Sequence, residues 1–318
     1  MEKISNVPTV VLPVLAALAL GYYTQRKRII GDATIEGIKA LVMNFMLPAV
    51  LLGAFYKAAF DQTLVVLAIC LFGCCLAGMG LGTLIGKIYP GGGRMMPFLT
   101  TGFEAGMMGY GLYAMLFPAS ETHNFAIVDL GQVLFVFTIY SALLNKQKGV
   151  STSQTLRSMI QSPVFIAIAA GVTLSATGFG ALIHQSAVGS SVDAILSYIS
   201  GPTGVLMIIV VGYQLVWSKA CLKAAILTIA VRTLIMGALC ACSLLVLQQF
   251  ISVSQPLFWA IVLMFSLPAP FVLPIFSGDE AQQGYVSGDE AQQGYVATTL
   301  SIGTLLSVAL FAIISFIV

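Results

Sequence analysis

The chain has 318 residues, 58% of them hydrophobic, with 14 Lys and Arg and 12 Asp and Glu making up only 8% charged residues and a net charge of +2. Soluble domains carry roughly 25% charged residues, so a soluble enzyme, a nucleic-acid binder and a disulfide-stapled secreted domain are excluded together, and no basic face is left for nucleic acid. What remains is a compact polytopic bundle in a lipid bilayer.

A spanning helix needs about 20 mostly apolar residues. In chain order, hydropathy marks spans near 7–24, 35–56, 63–88, 97–117, 125–144, 161–182, 193–217, 222–247, 256–276 and 297–318, designated helices 1 to 10. Helix 1 carries Pro8 and Pro13 and lacks an A-x-A-like cleavage site, so it reads as a retained helix and not a signal peptide. The odd-numbered connections hold Arg26, Lys27, Arg28, Lys39, Lys87, Arg94, Lys146, Lys148, Arg157, Lys219 and Lys223, the even side only Lys3 and Lys57, and Arg232 falls inside helix 8. The positive-inside rule then puts the odd connections in the cytoplasm and both termini outside the cell (inner) membrane.

Cys70, Cys74, Cys75, Cys221, Cys240 and Cys242 lie in or beside apolar runs without a C-x-x-C pair and read as packing residues. His123 and His184 fall in short connections, which leaves nothing for a histidine-ligated intramembrane metal. No Ser-His or Cys-His arrangement suggests an enzyme, so no metal and no enzymatic activity are expected.

Two repeats are visible. Pro13 with Gly21 in helix 1 and Pro163 with Gly171 in helix 6 share one spacing, and Pro48 and Pro202 follow in helices 2 and 7. Residues 1–148 and 149–318 then form two five-helix repeats, and because five is odd the second enters the membrane from the opposite face, as in many secondary transporters. Separately, the decamer Ser277–Val286 recurs unchanged as Ser287–Val296. One copy suffices to link helices 9 and 10, and Asp279, Glu280, Asp289 and Glu290 read as a solvated loop, with calcium binding the weaker alternative.

Helices 4 and 9, each fourth in its repeat, cannot run unbroken. Helix 4 has Gly102, Gly106, Gly109 and Gly111, and helix 9 has Pro268, Pro270 and Pro274. Each proline removes a donor and each interior glycine costs about 1 kcal/mol relative to alanine. Unwound backbone survives in a bilayer only where protein buries it or a wet cavity adjoins it. Half-helix N-termini suit a carboxylate and loose carbonyls suit a cation; the alternative is that the glycines serve close helix packing.

The order Leu47-Pro48-Ala49 in helix 2, Gly102-Phe103-Glu104-Ala105-Gly106 and Gly109-Tyr110 in helix 4, Val128-Asp129-Leu130-Gly131-Gln132 in helix 5 and Leu267-Pro268-Ala269-Pro270 in helix 9 resembles a bacterial member of the auxin efflux carrier family. The resemblance covers nearly the whole chain and rests on the order of short apolar motifs. It implies an all-α membrane protein of ten helices in two inverted repeats, like the bile acid:sodium symporters in outline, with helices 4 and 9 crossed at the substrate site. It also implies transport of small carboxylates such as auxin or malate. Plant carriers resemble Pro-Asn-Thr at the helix 4 crossing where this chain has Glu104 and glycines, and the duplicated decamer is foreign to the pattern.

Polar residues inside the spans name the candidate site. Glu104, seven residues into helix 4, must be protonated, paired or cation-bound; it is either the H+- or Na+-coupling group or part of a structural pair. Arg232 could hold a substrate carboxylate in two-point contact, pair with Glu104 or Asp129, or snorkel. Asp129 reads as an interfacial cap or gate more than a midplane ligand, with Gln132 one turn deeper. Asn44 can satisfy carbonyls near Pro48 or reach the cavity. Thr298, Thr299, Ser301, Thr304 and Ser307 form a stripe that reads as packing glue. Tyr110 and Ser266 flank the breaks. The substrate set is thus Asn44, Gly106, Gly109, Tyr110, Arg232, Ser266, Pro268 and Pro270, with Glu104, Asp129 and Gln132 for the coupling ion.

The expected function is secondary transport of a small organic anion by alternating access, without a nucleotide site because no G-x-x-x-x-G-K-[ST] occurs. The expected partners are the anion, the bilayer and a second copy in a homodimer, and Na+ or H+ takes the place of a cofactor. The alternatives are a cation/proton antiporter or a non-transporting ligand sensor.

Overall fold

The computed structural model describes residues 2–56, 62–89, 94–147, 153, 154, 157, 160–271 and 290–318. Lys57, Lys148, Pro274, the first decamer and the acids Asp279, Glu280 and Asp289 lie outside the described residues. Every regular element among those described is helical. Six helices are long and apolar enough to cross a membrane: Asp32–Phe55, Gln62–Ile88, Ala119–Leu144, Gly189–Tyr213, Leu222–Leu247 and Gln292–Ile317. They carry helices 2, 3, 5, 7, 8 and 10, and this is the makeup of a multi-pass membrane protein.

Helix 1 runs from Glu2 to Arg26. Helix 6 is Pro163–Ala176 followed by Phe179–Gln185 at 85°, turning on Gly178 with φ +76, a conformation that glycine adopts without strain. Helix 2 tolerates Pro48 because a π-turn, Val42–Met46, precedes the helix Leu47–Phe55 in which Pro48 stands near the start. Helix 5 contains a π-turn at Val136–Tyr140, where the Ser141 hydroxyl donates to Val136 O at 2.7 Å.

Packing groups the helices into two sets, joined where helix 1 meets helix 10 and the resumed part of helix 4 meets helix 7. Helix 1 lies on Thr203–Tyr213 of helix 7, and Leu47–Phe55 of helix 2 lies on Pro163–Ala176 of helix 6. In the other set helix 3 packs on helix 5, helix 8 on helices 3 and 10, and helix 9 on helices 5 and 8. The two spaced glycines explain the first pairings. A Cβ on Gly21 would stand 2.0 Å from Ile209 O of helix 7, and one on Gly171 would stand 2.7 Å from Phe55 Cβ of helix 2. Small residues let backbones approach where lipid supplies no hydrophobic drive.

Enclosure differs along the bundle. Within its apolar window helix 5 is 56% buried, whereas helices 7 and 8 are 28% buried, so helix 5 is the central post and the others leave most of their surface to lipid. Tyr56 and the helix 6–7 corner close one end: the Tyr56 hydroxyl donates to Asp193, which also meets His184 Nδ1 at 3.1 Å.

The second decamer is not only a linker. Residues from Glu290 through Val296 form the first turns of helix 10, Glu290–Ile317, where Tyr295 and Val296 are buried. The Tyr295 hydroxyl lies 2.6 Å from Thr228 Oγ1 of helix 8. An aromatic and a β-branched residue at the end of the decamer give the helix an apolar start, and a reading of the whole segment as loop overlooks this.

Candidate functional site: the crossing of helices 4 and 9

Helix 4 begins as Met96–Leu99 and opens at Thr100–Glu104. It resumes as a π-turn, Ala105–Gly109, running without interruption into Tyr110–Leu116. Gly102 sits at φ +66, and a Cβ there would come 2.9 Å from Pro270 Cγ; conformation and contact both require glycine. Helix 9 runs from Gln255 to Ser266 and opens at Leu267, where Pro268 and Pro270 deny the ladder its donors.

The two openings touch. The Glu104 N–H donates to Pro268 O at 2.9 Å, and the Met107 N–H donates to Glu104 Oε1 at 3.0 Å. Glu104 Oε2 accepts from the Phe271 N–H. One carboxylate therefore bridges the start of the resumed helix 4 to the chain leaving the helix 9 break. A negative group is favourable at that end, where unpaired N–H groups and the helix dipole are positive.

Arg232 does the reverse at the other ends. Its Nη1 donates to Leu99 O at 3.1 Å and Thr101 O at 3.2 Å, and its Nη2 to Gly102 O at 2.6 Å and Leu267 O at 3.0 Å. Its guanidinium also stands 5.7 Å from the Phe103 ring centre. The carbonyls left bare where both helices stop are thus held by one buried cation, 4% exposed. This corrects the expectation for Arg232. It reaches neither Glu104 nor Asp129, and its terminal N–H groups are spent on backbone instead of a substrate.

Asp129 and Gln132 lie one turn apart on helix 5, 3% and 5% exposed. Asp129 is buried beside helix 4 and is no interfacial cap: the Tyr110 hydroxyl donates to its Oδ2 at 3.1 Å. Gln132 Nε2 donates to Phe103 O at 2.5 Å. Asp129 Oδ1 and Gln132 Oε1 are buried without a hydrogen-bond partner among the described residues. Two bare acceptor oxygens fit a proton, a water or a monovalent cation.

The remaining candidates divide. Gly106 borders Glu104, since a Cβ there would lie 3.9 Å from Glu104 Oε1. Gly109 serves packing: its Cβ would meet Phe125 at 2.5 Å and Leu267 at 2.8 Å. Asn44 is not at the crossing. It is exposed, and its amide donates to Ala40 O of its own helix at 2.8 Å, because the π-turn before Pro48 leaves that carbonyl reachable. Ser266 donates to Leu263 O and its own carbonyl takes the Ser307 hydroxyl. In the helix 10 stripe, Ser301 and Thr298 accept the Val216 and Ser218 N–H groups at 2.9 and 3.0 Å, capping the chain that leaves helix 7.

Lys39 and the Phe271 N–H are the features that sequence reading missed. Lys39 is 6% exposed and pairs with Glu36 at 2.8 Å. A signal existed: Lys39 falls on the helical face of the buried Ile35, Val42 and Met46. The Phe271 N–H is backbone and carries no residue-type signal.

Two cavities adjoin the crossing. One, ≈ 290 Å³, lies between helices 1, 2 and 7 on one side and helix 10 on the other, with Gln25, Asp32, Glu36, Tyr213, Ser301 and Phe271 among its lining. The other, ≈ 380 Å³, is an apolar groove among helices 8, 9 and 10, with Arg232, Ser266 and Ser307 among its lining. No family model matches this chain, and no curated protein matches it.

Proposed function

We propose that the chain is a secondary transporter of small organic anions, of the auxin efflux carrier type, in which the set of helices 1, 2, 6 and 7 rocks against the set built on the crossed helices 4 and 9. The observation that carries this reading is the crossing itself: two opened helices meet in the buried interior of the bundle with opposite-charge side chains on their two kinds of end. Unwound backbone there is costly, and its usual return is a binding site.

The helix pairings also support two inverted repeats. Shifting each helix number by five turns the 1–7 contact into 6–2, the 3–5 contact into 8–10 and the 3–4 contact into 8–9, all of which occur. Gly21 and Gly171, the glycines of the spaced motif, stand at the 1–7 and 6–2 contacts. The smaller cavity lies between the two helix sets and has Phe271 in its lining, which is where an access path would lie. By the charge rule it opens to the cytoplasm, with both termini outside the cell membrane.

In this reading the substrate carboxylate approaches Phe271, Gly106 and the Pro268–Pro270 turn, and Glu104, Asp129 and Gln132 handle the coupling ion, H+ or Na+. Lys39 supplies positive charge near that path, the role first considered for Arg232. A cation/proton antiporter is the second reading, favoured by the bare oxygens of Asp129 and Gln132 and by the engagement of Arg232 away from both acids. Flux into proteoliposomes separates the two. The carrier takes up labelled acetate, malate or indole-3-acetate, whereas the antiporter moves only Na+, K+ or protons.

A further inference from the structure

We propose that Glu104 is a tethered occupant of the anion seat: its carboxylate and a substrate carboxylate compete for the Met107 and Phe271 N–H groups, so that an anion binds only when Glu104 takes up a proton and leaves. This rests on the reading of the crossing as the substrate site.

The seat is built and full. Helix 4 resumes as an unbroken run from Ala105 to Leu116, and its N-cap side chain accepts from Met107. A second N–H, that of Phe271, comes from the other broken helix, and Phe271 also lines the ≈ 290 Å³ cavity. Two N–H donors converging from different segments on one buried carboxylate, 7% exposed, make the arrangement a substrate carboxylate would need. Gly106 stands beside Glu104 Oε1, where a Cβ would lie 3.9 Å from that oxygen and 3.2 Å from Leu47 Cδ2.

The place for a departed acid is also present. A protonated carboxyl needs an acceptor for its O–H, and Gln132 Oε1 is buried without a partner among the described residues while the same amide holds the carbonyl of Phe103, the residue before Glu104. Asp129 Oδ1, equally bare, lies one turn away. The charged and titratable groups around Glu104 are Lys39 from helix 2, Asp129 and Tyr140 from helix 5, Tyr110 within helix 4 and Arg232 from helix 8. Arg232 is fixed on carbonyls and Tyr110 on Asp129, so Glu104 is the acid whose partners a ligand can replace.

The step balances. A proton from the aqueous phase adds to one Glu104 oxygen, the two N–H groups exchange the Glu104 carboxylate for that of the ligand, and one anion enters with one proton. Apparent affinity then changes by up to tenfold per pH unit, rising as pH falls.

The test uses the purified full chain with acetate, malate and indole-3-acetate, each ionised between about pH 6 and 8. Binding and proton uptake are measured together, with infrared difference spectra for a protonated carboxyl band. The expected result is one proton taken up per anion, with the band appearing on binding, and a Glu104→Gln variant that binds with no pH dependence and no band. Because the wild-type protein supplies the stoichiometry and the band, a variant that fails to fold leaves the test intact. Binding without proton uptake, a band that persists in Glu104→Gln, or Na+ substituting for the proton would overturn the inference and leave the transporter reading standing. If none of the three anions binds either protein at any pH, both fail.

Discussion

The two kinds of helix end at the crossing are treated alike in principle and differently in reach. On the carbonyl side Arg232 makes four hydrogen bonds to Leu99, Thr101, Gly102 and Leu267, and a guanidinium keeps its charge throughout the accessible pH range. On the N–H side Glu104 makes two, to Met107 and Phe271, and a carboxylate can be neutralised. The bare carbonyls are therefore closed permanently, while the bare N–H groups are closed by a group that can be displaced. The crossing has one fixed clasp and one that opens.

The sharpest way to break this contrast is to remove the fixed clasp. Arg232→Leu leaves four buried carbonyls unpaired at about 1–3 kcal/mol each, which is comparable to the whole stability of many domains. The expected outcome is loss of folded protein in detergent, read by size-exclusion profile and thermal unfolding. Arg232→Lys, a point charge without the planar fork, should recover only part. If Arg232→Leu folds and melts normally, the guanidinium is not the clasp.

Glu104→Gln comes second. Its amide can still accept one N–H, but its own NH2 must face the other, which costs about 1–3 kcal/mol for one unsatisfied buried donor. The protein should fold, melt lower than wild type, and bind carboxylates with an affinity that no longer varies with pH. A variant as unstable as Arg232→Leu would mean that the N–H side is equally fixed. Gly102→Ala should cost about 1–2 kcal/mol for its left-handed backbone plus the contact with Pro270, measured by the same unfolding assay.

How much of this was legible in the sequence depends on what kind of group carries the information. Broken helices 4 and 9 were legible, because proline and glycine act on the backbone at their own positions. Helix 8 was placed to the residue, Leu222–Leu247, since an uninterrupted apolar run has clear ends. Glu104 and Gln132 were legible as polar residues inside the spans, whereas Asp129 read as an interfacial cap or gate because its place near a span end hid how deeply neighbouring helices bury it. The partner of Arg232 was not: its four acceptors are main-chain carbonyls, which every residue owns, and only the fold decides which are left bare. Lys39 was assigned to a connection by its charge although its helical face belonged to the interior. The close helix 1–7 and 2–6 contacts were only hinted at by Gly21 and Gly171, since a glycine reports an approach but not what approaches.

Further from the crossing the effects shrink. Ser301→Ala removes the hydroxyl that accepts the Val216 N–H at 2.9 Å and should lower stability by about 1 kcal/mol without altering the pH dependence of binding. A changed pH dependence would extend the displaceable side of the crossing to the cavity wall, which Ser301 also lines.

The smallest expected effect is Asn44→Ala. Asn44 and Gln132 are both amides inside apolar helices near a backbone irregularity, but their surroundings differ. Gln132 is buried and reaches across to Phe103 O of another helix, whereas Asn44 is exposed and bonds Ala40 O of its own turn. Removing an exposed amide that bridges nothing should shift stability by no more than about 0.5 kcal/mol and leave carboxylate binding unchanged. Gln132→Leu, by contrast, removes both the bond to Phe103 O and the oxygen offered to a protonated Glu104, and should weaken acetate binding at low pH. Measured side by side, equal losses in the two variants would mean that helix 2 meets the anion in another state of the cycle, and the division between fixed and displaceable groups would then have to include its proline turn.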